Sequence, residues 1–218
     1  MNFRLVRLRI FSALSAGIVW IALISELYLT LYDSVHSGRG LLYGISDYFS
    51  YFTMLTNILC ASIFTAYSRK ASENSAIKLL TNPVLLTVAE ISILGVSIVY
   101  HIMLRHLWSP TGLQAFSTNV LHYVTPLCFS VLYIKIYTHY RLSWKSLYAM
   151  VIYPSAYGLY ILARGAVTSE YPYPFVDVNK IGYFQVSLFL VSMLILFVIT
   201  ASLVIASNRC FQKVIFDK

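Results

Sequence analysis

The sequence predicts an all-α, polytopic integral membrane bundle of six transmembrane helices with both termini cytoplasmic, and three observations carry that prediction. Of the 218 residues, 59% are hydrophobic and only 11% charged, with a mean hydropathy of +0.73, unlike the balance of a soluble domain. Six stretches reach the roughly 20 mostly apolar residues that a helical crossing needs, at about 10–32, 46–68, 84–104, 117–138, 146–167 and 182–206. Between them lie short segments of turn formers and charges: Ser37-Gly38-Arg39-Gly40, Ser68-Arg69-Lys70, Ser109-Pro110-Thr111-Gly112, His139-Tyr140-Arg141 and Tyr171-Pro172-Tyr173-Pro174. The whole chain, 1–218, reads as a single six-helix transmembrane domain with no soluble domain appended.

The first stretch follows Arg4, Arg7 and Arg9 and runs from Ile10 to Tyr32. It is too long for the apolar region of a signal peptide and shows no small-residue cleavage site, so a retained first helix is expected. The sixteen Lys and Arg residues then set orientation. Twelve of them fall at the amino terminus, in the second connection (Arg69, Lys70, Lys78), in the fourth (Lys135, Arg141, Lys145) and in the tail (Arg209, Lys213, Lys218). Only Arg39, Arg105, Arg164 and Lys180 fall on the other side, which places both termini in the cytoplasm. A cell-membrane, multi-pass protein is expected. The net charge of +8 is thereby read as topology and not as a nucleic-acid surface. The three cysteines, Cys60, Cys128 and Cys210, form no disulfide framework, and no metal or organic cofactor is expected because no ligand spacing is present.

In the second stretch Ser46, Ser50, Thr53 and Asn57 recur at helical steps of four, three and four, so a continuous helix would carry them on one inward face. With the helix running inward from the outer side, Thr53 lies roughly 10 Å below its outer end at 1.5 Å per residue. The third stretch offers Glu90, Ser97 and His101 on one stripe. The fourth offers Thr118, His122 and Thr125, with His122 in the same layer as Thr53. The fifth offers Tyr153, Tyr157, Tyr160 and Arg164, while the sixth is almost wholly apolar and is expected to pack or face lipid. Glu26, His101 and Arg164 also fall in the outer third, and Asp47 sits at the outer entrance to the second helix. No inverted repeat relates the two halves.

Ionisable groups in hydrocarbon are costly, so several at one depth point to a water-accessible cavity. A neutral imidazole can take the proton of a hydroxyl, which then attacks a carbonyl; Thr53 and His122 are the candidate pair. Asn57 or Asn119 would donate to the oxyanion, and Arg164 would hold a carboxylate or a lipid head group. A plainer reading stands beside this one. Membrane threonines commonly bond their own i−4 carbonyl, Glu26 and Glu90 can pair with Arg164 or a histidine to hold the bundle, and the His101 region can snorkel.

Ser50-Tyr51-Phe52-Thr53-Met54-Leu55-Thr56-Asn57, then Leu121-His122-Tyr123-Val124-Thr125-Pro126, then Tyr153-Pro154 through Arg164-Gly165 to Tyr171-Pro172-Tyr173-Pro174-Phe175-Val176-Asp177, resemble the successive signatures of the bacterial Pr-six-Pr family of six-helix membrane proteins. That family is distantly similar to the eukaryotic androgen-induced and androgen-dependent integral membrane hydrolases, threonine enzymes that cleave fatty acid esters of hydroxy fatty acids. The resemblance implies a bacterial cytoplasmic membrane, Thr53 as nucleophile, His122 as base and Asp177 in the supporting polar layer, to which depth assigns Glu26, Asp47 and His101. Thr56 is a rival hydroxyl three residues on. The function expected is hydrolysis of a lipid ester near the outer leaflet, with a membrane lipid or fatty acid ester as partner. The runner-up is a non-enzymatic carrier or sensor that binds lipid or a small molecule in the same layer. A retinal protein is disfavoured because the last stretch has no lysine for a Schiff base.

Overall fold

The computed structural model describes residues 3–69, 74–107 and 109–216, and these residues form helices joined by short turns, with no strand among them. Lys70 and Lys218, part of the charge count above, lie outside the described residues. Five helical spans are long and apolar enough to cross a membrane, and a bent pair makes a sixth if it is taken as one span. The protein is therefore a multi-pass membrane protein by helix length and composition. The chain falls into two compact units, Met1–Tyr137 and Thr138–Lys218.

The first unit begins with α1, Phe3–His36. After a short turn come α2, Leu41–Tyr48, and α3, Phe52–Ser68. The sequence predicts one helix over 46–68, and here the structure differs: α2 and α3 meet at a 73° bend. The hydroxyl of Ser50 donates to the Asp47 carbonyl at 2.6 Å, and Tyr51 is extended (φ −85°, ψ 126°), so the backbone leaves the helix there. Ser46 is exposed on α2 and does not continue the face of Thr53 and Asn57, because the bend separates them. Two contacts hold α2 back on α1. Gly44 lies so near Ser34 that a Cβ would stand 2.8 Å from its Oγ, and the Tyr48 hydroxyl donates to the Leu23 carbonyl at 3.0 Å.

A short helix, α4 (Ser75–Leu80), is capped by Asn74, and α5 (Pro83–Val99) by Asn82, whose side chain accepts from the Val84 N–H at 2.8 Å. Pro83 at the first helical position costs nothing there, since its missing N–H would have no intrahelical partner. The last turn of this span widens to π geometry over Tyr100–Leu104, closed by the Arg105 N–H on the Tyr100 carbonyl at 2.8 Å. The next span is α6 (Gly112–Asn119), a second π turn (Val120–Val124) and α7 (Thr125–Tyr137). Pro126 has no N–H and its ring would press on the carbonyl of His122, four residues back; the widened turn makes room.

Small residues let these helices approach: Ala16, Ala22, Cys60, Ala61 and Ala89 are buried. Phe64 fills the centre, fully buried, edge-on to Phe129 at 5.3 Å and to Phe11 at 6.4 Å.

The second unit comprises α8 (Ser146–Thr168), a single 3₁₀ turn (Pro174–Val176) and α9 (Val178–Phe216). Ser169 ends α8 in the left-handed conformation, its N–H on the Gly165 carbonyl at 2.8 Å. Gly165 has no room for a side chain, because a Cβ would enter the Tyr171 ring. Gly182 (φ 77°, ψ 160°) breaks α9 near its start, so the unbroken helix begins close to the predicted 182. At the other end Asn208 accepts from the Leu142 N–H at 2.7 Å and donates to the Tyr140 carbonyl at 3.1 Å, strapping the preceding loop onto α9.

Candidate functional site

Thr53 stands in the first turn of α3 and is nearly buried. The threonine hydroxyls of Thr65, Thr81, Thr87, Thr168 and Thr200 each donate to the i−4 carbonyl at 2.8–2.9 Å. Thr53 does not share that bond, because its i−4 residue, Phe49, lies across the bend from α3. Thr56, by contrast, is fully buried and has an interaction partner of its own. The break in the helix thus distinguishes the two hydroxyls.

Asn57, one turn below Thr53, is fully buried. Its amide nitrogen donates to the Thr53 carbonyl at 2.9 Å and, across the helix interface, to the Leu121 carbonyl at 3.2 Å. This second bond ties α3 to the π turn that carries His122. Both amide protons are committed in this way, so an oxyanion would have to displace one of them. The Asn57 Oδ1 atom is buried with no hydrogen-bond partner among the described residues.

His122 is buried beside Thr118 and Thr125, as its spacing predicts. Its Nδ1 lies 2.9 Å from the Thr118 carbonyl oxygen. A carbonyl only accepts, so Nδ1 carries the proton and the neutral ring presents the Nε2 lone pair. The Tyr100 ring stacks on the imidazole with centroids 3.9 Å apart. This places the two π turns against each other at the candidate base.

The other predicted residues divide. Glu26 on α1 accepts a hydrogen bond from the Ser117 hydroxyl on α6, next to Thr118, and so reaches the turn that holds His122. Asp47 is half-buried at the end of α2. His101 does not share the buried stripe of Glu90: it is exposed in the widened turn, 3.1 Å from the Tyr123 hydroxyl, and Tyr100 is the residue buried against His122. Asn119 is also exposed, its amide donating to the Ala115 carbonyl at 2.8 Å, and does not join the His122 face.

Arg164 and Asp177 belong to the second unit. Arg164 is buried and donates to the Glu170 carbonyl at 3.1 Å. Asp177 caps α9, accepting from the Asn179 N–H at 3.1 Å and pairing with Lys180 at 3.2 Å. No group of three or more His, Cys, Asp or Glu residues among the described residues is placed to hold a metal ion.

Sequence reasoning passed over Tyr100, Ser117 and Ser130. The stacking of Tyr100 depends on π turns that periodicity at 3.6 residues does not register. Pro126, four residues after His122, is the one local signal for the second turn. Comparison with protein-family models, curated proteins and solved structures finds no match to this chain.

Proposed function

We propose that this protein is a six-span hydrolase of lipid esters, with both termini cytoplasmic in a bacterial cytoplasmic membrane, Thr53 as nucleophile and His122 as base. The observation that carries the reading is the Thr53 hydroxyl itself, released from i−4 back-bonding by the bend between α2 and α3. The resemblance of the Thr53 and His122 segments to the threonine hydrolases supports the same pair. In the reaction the Thr53 proton passes to His122 Nε2 as Oγ bonds the ester carbonyl carbon. The alcohol leaves with that proton. Water then attacks the acyl-threonine, His122 taking its proton and passing it to Thr53 Oγ as the acyl–oxygen bond breaks, and the free acid departs with both catalytic groups restored.

The purified full-length protein, assayed on a branched fatty acid ester, tests this. Thr53→Ala and His122→Gln should each lower turnover by about 10²-fold or more, and Thr53→Ser should keep a measurable part of it. Wild-type rates in Thr53→Ala would overturn the assignment.

A second reading is favoured by the committed amide of Asn57, whose two protons already bond the Thr53 and Leu121 carbonyls and leave no free donor for an oxyanion. In it the protein binds a lipid or small molecule without cleaving it. Thr53→Ala would then retain bound ligand at wild-type level, while changes at His122 or Glu26 would abolish retention.

A further inference from the structure

Glu90 is the most buried carboxyl group among the described residues of the first unit, 7% exposed in the middle of α5. One of its oxygens accepts from the Ser130 hydroxyl of α7 at 2.7 Å. The other, Oε2, is buried and has no hydrogen-bond partner among the described residues. No Lys, Arg or His is paired with it among them. From α3 the fully buried thiol of Cys60 lies near it. From α7 Ser130 faces it, and Tyr133, one turn on, faces Thr87.

These groups lie in order along antiparallel helices. Thr87, one turn from Glu90 on α5, meets the Tyr133 hydroxyl at 3.3 Å, toward the Pro83 end of the helix. In the opposite direction Tyr100 meets His122. Roughly 15 Å of helix separate Glu90 from Tyr100 at 1.5 Å per residue. The Thr125 hydroxyl and the Asn57 Oδ1 atom are both buried without partners among the described residues, and the Asn57 amide nitrogen donates to the Leu121 carbonyl. Thr125 follows Leu121 by one helical turn. A donor and an acceptor left open in a buried, polar setting are what an internal water satisfies.

We propose that Glu90 is a proton-binding site inside the bundle, reached by protons from the Pro83 end of α5 through the Thr87–Tyr133 hydroxyl pair, and continued toward His122 by water held at Asn57 and Thr125. The chemistry is simple: a carboxylate with a buried, unpartnered oxygen and no cation beside it is completed by a proton on that oxygen, while Ser130 donates to the other. Hydroxyls that both donate and accept can hand that proton on, which apolar side chains cannot. This does not depend on ester hydrolysis at Thr53.

Infrared spectroscopy of the full-length protein in lipid vesicles, transferred from H₂O to D₂O, tests it. A protonated carboxyl band that shifts in D₂O should be present in the wild type, absent in Glu90→Gln and displaced in Glu90→Asp, which also serves if Glu90→Gln does not fold. The combined change Thr87→Val and Tyr133→Phe should keep the band but slow its exchange at least tenfold. A band unchanged in both Glu90 variants would overturn the proton site. Exchange at wild-type speed without the two hydroxyls would overturn the path.

Discussion

The two units treat similar sequence material in different ways. In α5 the most apolar window is 56% buried within the protein, whereas in α8 and α9 the corresponding windows are only 11% buried. Mean hydropathy does not track this, being 1.9 for α5, 1.3 for α8 and 2.9 for α9. α9 is more apolar than α5 and less enclosed. Apolar side chains at its surface need only lipid, while the helices of the first unit carry Ser, Thr, Asn and Glu that must meet one another. Polarity, and not hydropathy, marks the inside of this membrane protein.

The strongest test of that contrast sets Phe64→Ala against Leu196→Ala. Phe64 is fully buried between two aromatic rings, and truncation should cost about 3–5 kcal/mol through lost contacts and a cavity. Leu196 is 55% exposed on α9, and its truncation should cost about 0.5 kcal/mol or less. Reversible unfolding in mixed micelles measures both. Equal losses would break the comparison and mean that another protein surface, not lipid, covers α9.

The apolar spans were legible in the sequence because length and hydropathy suffice for them: Ser146–Thr168 and Pro83–Leu104 match their predicted ranges within a residue or so. The buried stripe of Thr118, His122 and Thr125 was legible for a similar reason, since polar groups at helical spacing inside an apolar run have one place to go. The break at Phe49–Tyr51 was not. Ser50 reads as a polar face residue, yet its hydroxyl is used to end α2, and a side chain's choice between solvating a cavity and bonding its own backbone leaves no trace in periodicity. The same limit misplaced Asn119, whose amide bonds the Ala115 carbonyl, while His101 was displaced by the π turn that periodicity does not register. Asp177 looked like a site acid and is a helix cap.

In the second unit the polar bonds gather at the helix ends, so a smaller but distinct effect is expected there. Asn208→Ala removes the acceptor for the Leu142 N–H and the donor to the Tyr140 carbonyl. It should cost about 1–3 kcal/mol and raise amide exchange at Leu142 while leaving exchange in α5 unchanged. Spread of faster exchange into α5 would mean that the two units do not respond separately.

The smallest effect tests whether polar contacts in the first unit bind its helices as strongly as its packing does. The Trp20 indole N–H donates to the Thr65 hydroxyl at 3.1 Å, joining α1 to α3, and Thr65 in turn donates to the Ala61 carbonyl at 2.8 Å. Trp20→Phe removes the first bond but leaves the Thr65 hydroxyl with its own acceptor, so no buried donor is orphaned. The loss should therefore stay near about 0.5–1 kcal/mol, several-fold below Phe64→Ala under the same unfolding conditions. Were Trp20→Phe as damaging as Phe64→Ala, the interhelical hydrogen bond and not the aromatic centre would be what joins α1 to α3.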